Sequence, residues 1–321
     1  MTTSTQEQST TSEPQTNKKG EGKRQIPLSK EELKPFLVRS DIKAFRVVAL
    51  CWLSIIGVYA MAALLPYWPV YIIAVFLMAG RQQGIAAIMH ESGHSTLFAT
   101  KRYNKFVSVW LSSPFLLMDG PSYSKQHLEH HRNAGTAADP DLPNYKNYPI
   151  SKKSMVRKFS RDLLGITGIK ANLYYFVSGK DLLTRQKRAK GQLLRSVFVN
   201  GLMFSALWLM GIGYLYAIWV VSYLTVYMAI IRMRQIAEHA GVKDLNHLEP
   251  KYNTRSLPRG LWGLLFISPT DGLSYHCEHH LSMAAPTYNL KALHKLLKAK
   301  GYYDDIDIPN NYLGVFKQAL I

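Results

Sequence analysis

The chain has 321 residues, is 47% hydrophobic, and carries 39 Lys and Arg against 21 Asp and Glu, a formal charge of +18. Two cysteines, Cys51 and Cys277, exclude a disulfide framework and any Cys-x-x-Cys motif. The length admits one large domain or two smaller ones, so the distribution of residues decides more than their average.

Residues 1–40 read as a disordered polar tail, rich in Thr, Ser, Gln and Glu at its start, with Leu28 to Arg39 as a short surface helix. The tail lacks the basic start and apolar core of a signal peptide, so the first span is expected to direct insertion. From Val47 to Gly80 there is no charged residue, and none from Ser196 to Ile231. Each run is about twice a minimal spanning length. Each is broken near its middle, by Pro66-Tyr67-Trp68-Pro69 and by Gly211-Ile212-Gly213. The expectation is two helical hairpins with spans at about 47–65, 67–89, 194–211 and 214–231, within a membrane domain of residues 41–300 followed by a C-terminal tail, 301–321.

The basic charge flanks these hairpins. Arg39, Lys43, Arg46, Arg81, Lys101, Arg102, Arg195, Arg232 and Arg234 lie at their ends, and the two inter-span turns carry no charge. By the positive-inside rule both termini and the middle segment are cytosolic, in a bacterial inner membrane or the endoplasmic reticulum. The excess charge then meets anionic headgroups and an acidic electron-carrying protein, not a nucleic acid.

The second span continues in helical pattern through Ile85-Ala86-Ala87-Ile88-Met89 and delivers His90 and His94, one turn apart, out of the bilayer. Phe106 to Met118 is too short to span and reads as an interfacial or re-entrant segment. His127, His130 and His131 follow, at i, i+3 and i+4, within a helical wedge of roughly 100°. The turn Asp139-Pro140-Asp141 comes next, then a basic segment, Lys152 to Arg195, read as a solvated, lipid-facing surface that includes Arg185, Lys187, Arg188 and Lys190. The fourth span continues to a glycine cap at Gly241, with Gln235 and His239 one turn apart. Another short apolar segment, Leu257 to Ser268, precedes the third histidine box, His276, His279 and His280. A closing amphipathic helix covers Asn289 to Lys300.

Eight of the eleven histidines sit in the three boxes. Imidazole suits iron, copper or zinc, and eight are too many for one four-coordinate zinc ion. Two metal ions sharing a site fit the number. Only Glu91-Ser92-Gly93-His94 matches the Glu-x-x-His of carboxylate-bridged di-iron bundles, which disfavours that centre. Iron leads, with zinc hydrolysis as the minor option. The Glu residues in and beside the boxes, Glu91, Glu129, Glu238 and Glu278, are expected to accept a ring N–H from another box or to pair with Arg. His239 is a candidate ninth ligand and Gln235 a weaker, water-bridging one; His247 and His294 fall outside the pattern.

The order HxxxH, HxxHH, HxxHH, with a hairpin between boxes two and three, resembles the membrane fatty acid desaturase superfamily over about Val47 to Leu297. The resemblance implies an all-α integral membrane protein with four transmembrane helices in two hairpins and a cytosolic helical cap holding a histidine-rich di-iron site. It implies two non-haem iron ions held by His90, His94, His127, His130, His131, His276, His279 and His280, with O2 as co-substrate, and it supports His239. The Asp139-Pro140-Asp141 turn is similar to that of relatives. No His-Pro-Gly-Gly haem motif of cytochrome-fused relatives occurs in these residues, so electrons are expected from a separate ferredoxin or free cytochrome. The leading expectation is an acyl-lipid desaturase. A hydroxylase or carotenoid ketolase keeps the site and changes the outcome. A metal carrier would need polar residues within the spans, and Val47 to Gly80 has few.

Overall fold

A computed structural model describes residues 27–178, 191–258, 260–270 and 274–321. The first part of the tail, and the basic residues Arg185, Lys187, Arg188 and Lys190, lie outside the described residues. Among those described, helices form throughout, and pairing of extended backbone is limited to isolated bridges such as Ile150 with Leu320.

Helix α1, Asp41–Leu64, starts at Ser40, whose hydroxyl accepts from Lys43 N (3.4 Å) with Asp41 in the first turn. It ends before Pro66, and α2, Trp68–Gly93, begins with Pro69 in its first turn. One face of α1 (Ala44, Val48, Cys51, Ile55, Val58, Ala62) packs inward, while Leu50, Leu53 and Ile56 point out where lipid would lie. The second helix is the central one: its histidine-proximal half is buried on all sides, which suits a helix that must hold ligands still.

After a short helix, α3 (Lys101–Phe106), the chain runs through tighter and wider turns to Leu116 and enters α4, Gly120–Asn133. The expected short, non-spanning segment before box two is thus present, packed against α2. The described part of the basic stretch forms α5, Lys152–Leu163, and α6, Ile166–Ser178, with Lys152, Lys153 and Arg157 exposed as a solvated surface requires. Asp162 on α5 is fully buried and pairs with Arg232 (Arg232 Nη2 to Asp162 Oδ1, 2.9 Å).

The third span is α7, Gln192–Leu209. The fourth is divided: α8, Tyr216–Leu224, and α9, Val226–His239, meet at Thr225, whose backbone leaves the helical region (φ −118°, ψ −90°). The expected fourth span is present as a whole, Gly213–His239, with this break inside it. Gly168 of α6 lies against the break, so close that a Cβ there would sit 2.5 Å from the Leu224 carbonyl oxygen. Among the described residues, four segments are long and apolar enough to cross a membrane: Asp41–Leu64, Trp68–Gly93, Gln192–Leu209 and Gly213–His239. The described chain has the all-α architecture of an integral membrane protein, with four candidate spans.

A short helix, α10 (Leu261–Phe266), wedges against α2 at Gly80, where a Cβ would meet the Phe266 carbonyl at 2.8 Å. Small residues allow such an approach inside a membrane, where packing replaces the hydrophobic drive. Arg81 is buried there and donates to the Leu77 (3.2 Å) and Leu265 carbonyls. Arg81, Arg232 and Arg234, read from sequence as headgroup-facing flanks, are therefore internal fasteners, since Arg234 pairs with Glu238. Box three forms α11, His276–Leu281, and the closing helix α12 covers Thr287–Ala299.

Both expected tails are docked where they are described. Asn289 on α12 donates to the carbonyls of Phe36 and Val38 (3.0 Å each), and Leu28, Leu33 and Phe36 pack against the core around Leu290 and Leu293. At the other end α13, Tyr312–Gln318, buries Val315 beside Ile236 and Ala237. Arg255 joins this packing by donating to the carbonyls of Ile236, Ala237, Ala240 and Gly241 at the end of α9.

Candidate metal centre

All nine histidines singled out by spacing meet at one end of the bundle. They divide into two groups. His90, His94, His127, His131 and His279 form one; His130, His239, His276 and His280 form the other, with the ring nitrogens of each group within 4.8 Å of one another. Helix geometry explains the division. Residues at i and i+4 project alike, so His90 with His94, His127 with His131, and His276 with His280 stay together. The histidine at i+3 of each triplet leans aside: His130 goes to the group of box three, and His279 to the group of boxes one and two. His239, at the end of α9, completes the second group.

The nitrogens crowd as ligands do. Nε2 to Nε2 distances are 2.6 Å for His90–His127, 3.0 Å for His127–His131, 3.2 Å for His130–His280, 2.9 Å for His239–His276 and 3.0 Å for His276–His280. Neighbouring ligands at a metal–nitrogen distance of about 2.1 Å stand roughly 3 Å apart, so the sets fit metal ions. His94 and His279 are more telling. Both ring nitrogens of each are buried with no hydrogen-bond partner among the described residues, a costly arrangement that a metal bond relieves. Burial first, and neighbouring imidazoles second, hold His127, His131, His276, His279 and His280 well below the usual histidine range; the same causes take His94 down to about 3. Neutral imidazole is the form that binds metal.

Carboxylates and carbonyls behind the rings set their tautomers. His90 Nδ1 donates to Glu91 Oε1 (3.1 Å), itself fixed by Thr287 N (3.1 Å). His130 Nδ1 donates to Asp139 Oδ1 (2.8 Å), and His239 Nδ1 to the Asn253 carbonyl (3.1 Å). Each of these rings therefore turns Nε2 toward its group. The expected roles of the glutamates hold in part. Glu238 pairs with Arg234 and stands 3.7 Å from His276 Nδ1, and Glu91 stands 4.0 Å from His279 Nδ1 of another box. The hydrogen bond of Glu91, however, is to the adjacent His90. Glu278 turns away from the metal groups to accept from Ser256, Tyr303 and His294 Nδ1 (2.6 Å). His294 thus stays outside both groups, as the spacing implies, yet it braces the box-three helix. His247 also stays outside, with Nδ1 accepting from Glu249 N (3.0 Å).

Asp139 is the functional residue that spacing missed. Its signals in the sequence are a place in a turn nine positions after His130 and the likeness of that turn to relatives, neither of which gives it a role. Tyr145, stacked on His239 at 4.7 Å between ring centroids and donating to Asp139, carries no signal at all.

A chamber of about 170 Å3 opens in front of the histidines. His90, His127, His130, His239 and His276 line it with Met89, Tyr227, Arg234, Gln235 and Glu238. Gln235 is thus beside the site, on the chamber wall.

Residues 66–308 match the fatty acid desaturase family. Over 305 residues the chain is 25% identical to a dihydrorhizobitoxine desaturase of Bradyrhizobium elkanii, covering 87% of this chain and 81% of that protein. Over 74 residues it is 31% identical to a sphingolipid delta(4)-desaturase of Arabidopsis thaliana, 23% of this chain and 22% of that one. It is an oxidoreductase of the membrane, and its histidine groups are able to hold metal. With a helical bundle, three histidine boxes and a match over most of its length, the chain belongs to the fatty acid desaturase family.

Proposed function

We propose that this protein is an O2-dependent desaturase that holds two non-haem iron ions, one in each histidine group, and inserts a double bond into an aliphatic segment placed in the chamber. The observation that carries the proposal is the pair of adjacent, all-histidine groups facing one cavity. When bound, the iron pair supplies O2 activation and hydrogen abstraction from unactivated carbon. The balance is one –CH2–CH2– unit, O2, two electrons and two protons going to –CH=CH– and two waters. Nine histidines would be the ligands: His90, His94, His127, His131 and His279 for one ion, His130, His239, His276 and His280 for the other.

The chain's own groups do the rest. Glu91, Asp139 and the Asn253 carbonyl orient His90, His130 and His239. Met89 and Tyr227 exclude water from the chamber wall, and α2 carries the first two ligands rigidly out of the bundle. Family membership supports a lipid, with an acyl chain as the reacting part. A separate protein, a ferredoxin or free cytochrome, delivers the electrons, and the flanking basic residues that remain exposed support an acidic partner. Uncharged turns and basic flanks support an orientation with both termini and the histidine end in the cytosol.

The test is product analysis in membranes containing the chain, supplied with reductant and 18O2. The proposal requires a product two hydrogens lighter, formed only with O2, free of 18O, and lost in His130→Ala. Incorporated 18O would instead establish a hydroxylase or ketolase.

A further inference from the structure

The chamber wall is largely apolar, through Met89, Met118, Tyr227 and Ile231, yet it also carries groups that an alkyl chain does not need. Gln83 precedes His90 by seven residues on α2, so it shares that face and lies about 10 Å further into the bundle. It is 4% exposed and lines the chamber, and no protein group among the described residues hydrogen-bonds its amide. The amides of Gln235 and Asn144 line the same space and are likewise unpartnered. Gln126 donates to Asp141 (3.0 Å), while its own carbonyl oxygen is buried without a donor. The ion pair Arg234–Glu238 adds one charge of each sign.

A saturated chain lying along this wall would strip water from the carboxamides and return no hydrogen bond. A lipid headgroup at the mouth accounts for Asn144, which is exposed, and for Gln126. It does not account for Gln83, which lies past the histidines on the membrane side. Size points the same way, since about 170 Å3 falls below the roughly 300–1,000 Å3 of pockets that hold drug-sized ligands.

Resting on the desaturase reading above, we infer that the substrate is a compact polar molecule with hydrogen-bonding groups on both sides of the carbons that are oxidised, and not the long acyl chain of a lipid. Gln83 and Gln235 are its specificity-determining residues: one grips the end beyond the histidines, the other the segment beside His239. The reaction is balanced as before, with the electrons drawn from the same reduced protein partner.

The full chain is expressed in cells fed short-chain amino acids and amides together with palmitate, with the His130→Ala chain as the blank. Aqueous and lipid extracts are searched by mass spectrometry for species two hydrogens lighter. Wild type should give them in the aqueous extract alone, and Gln83→Leu should cut their yield about tenfold or more while keeping wild-type iron content. Gln235→Leu serves the same purpose should Gln83→Leu lose its iron. Wild-type product in the lipid extract, or an aqueous yield that neither variant changes, overturns the inference and leaves the desaturase standing. Product in neither extract, or a chain without iron, overturns the desaturase reading and this inference with it.

Discussion

Replacing Asp139 with alanine should loosen one group of histidines and spare the other. Asp139 is 4% exposed, and its oxygens accept from His130 Nδ1 (2.8 Å), from Asp141 N (2.8 Å) and from the Tyr145 hydroxyl. The first of these bonds decides which nitrogen of His130 carries hydrogen and leaves Nε2 facing His280 at 3.2 Å. Removing such an orienting carboxylate lowers metal affinity by about 10- to 100-fold, or ~1.4–2.7 kcal/mol. The stranded donors each cost about 1–3 kcal/mol where water does not reach them, so a fall in Tm accompanies the change. His130 belongs only to the four-histidine group, so the five-histidine group keeps its affinity. The assay is iron retained per chain against a graded chelator. Wild type should release its iron late, whereas Asp139→Ala should release one ion at roughly 10- to 100-fold less chelator and hold the other. Asp139→Asn, which keeps one accepting oxygen, should fall between. If both ions leave Asp139→Ala at the wild-type chelator concentration, Asp139 does not orient a ligand, and the place given to His130 fails with it.

Three further outcomes follow from the same contacts. His294→Ala should keep both metal ions and most activity but lose about 1–3 kcal/mol of stability, read as a lower Tm, because Glu278 forfeits a buried hydrogen bond of 2.6 Å. Gly80→Ala should destabilise by about 1–3 kcal/mol, since the new Cβ would meet the backbone of Phe266; Gly57→Ala, with nothing within 4 Å, should be neutral or slightly stabilising in the same denaturation assay. The chelator-stripped protein should lose stability on acidification. His94, held down at about 3 by burial and by neighbouring His90, stays neutral in the fold. It takes up a proton in the unfolded chain near pH 6.5. The unfolded state therefore binds more protons at this group between these values, so Tm should fall as pH drops below about 6.5. A Tm that rises on acidification would contradict the buried, neutral imidazoles.

Much of this was readable beforehand because its cause is local. Uncharged runs broken by Pro66 and Gly211 give spans whatever they pack against, and histidines at i, i+3 and i+4 are neighbours on any helix. The 5-and-4 division was not readable, since it depends on which way His130 and His279 lean and on where His239 arrives. What escaped depends on distant contacts. Arg81 and Arg232 look like headgroup-facing flanks until α10 and Asp162 are folded against them. The break at Thr225 owes nothing to proline or glycine in the span itself; Gly168, 57 residues earlier, lies against it. Asp139 resembles any aspartate in a turn, and only the return of the chain past His130 makes it a ligand's partner.

The most direct measurement is the metal content of the purified full-length chain, by mass spectrometry of the elements, with the protein concentration fixed by amino-acid analysis. Two iron ions per chain are predicted, falling when either His94 or His276 is replaced by alanine. A chain that carries a single ion, or zinc in place of iron at full occupancy, would contradict the paired iron centre.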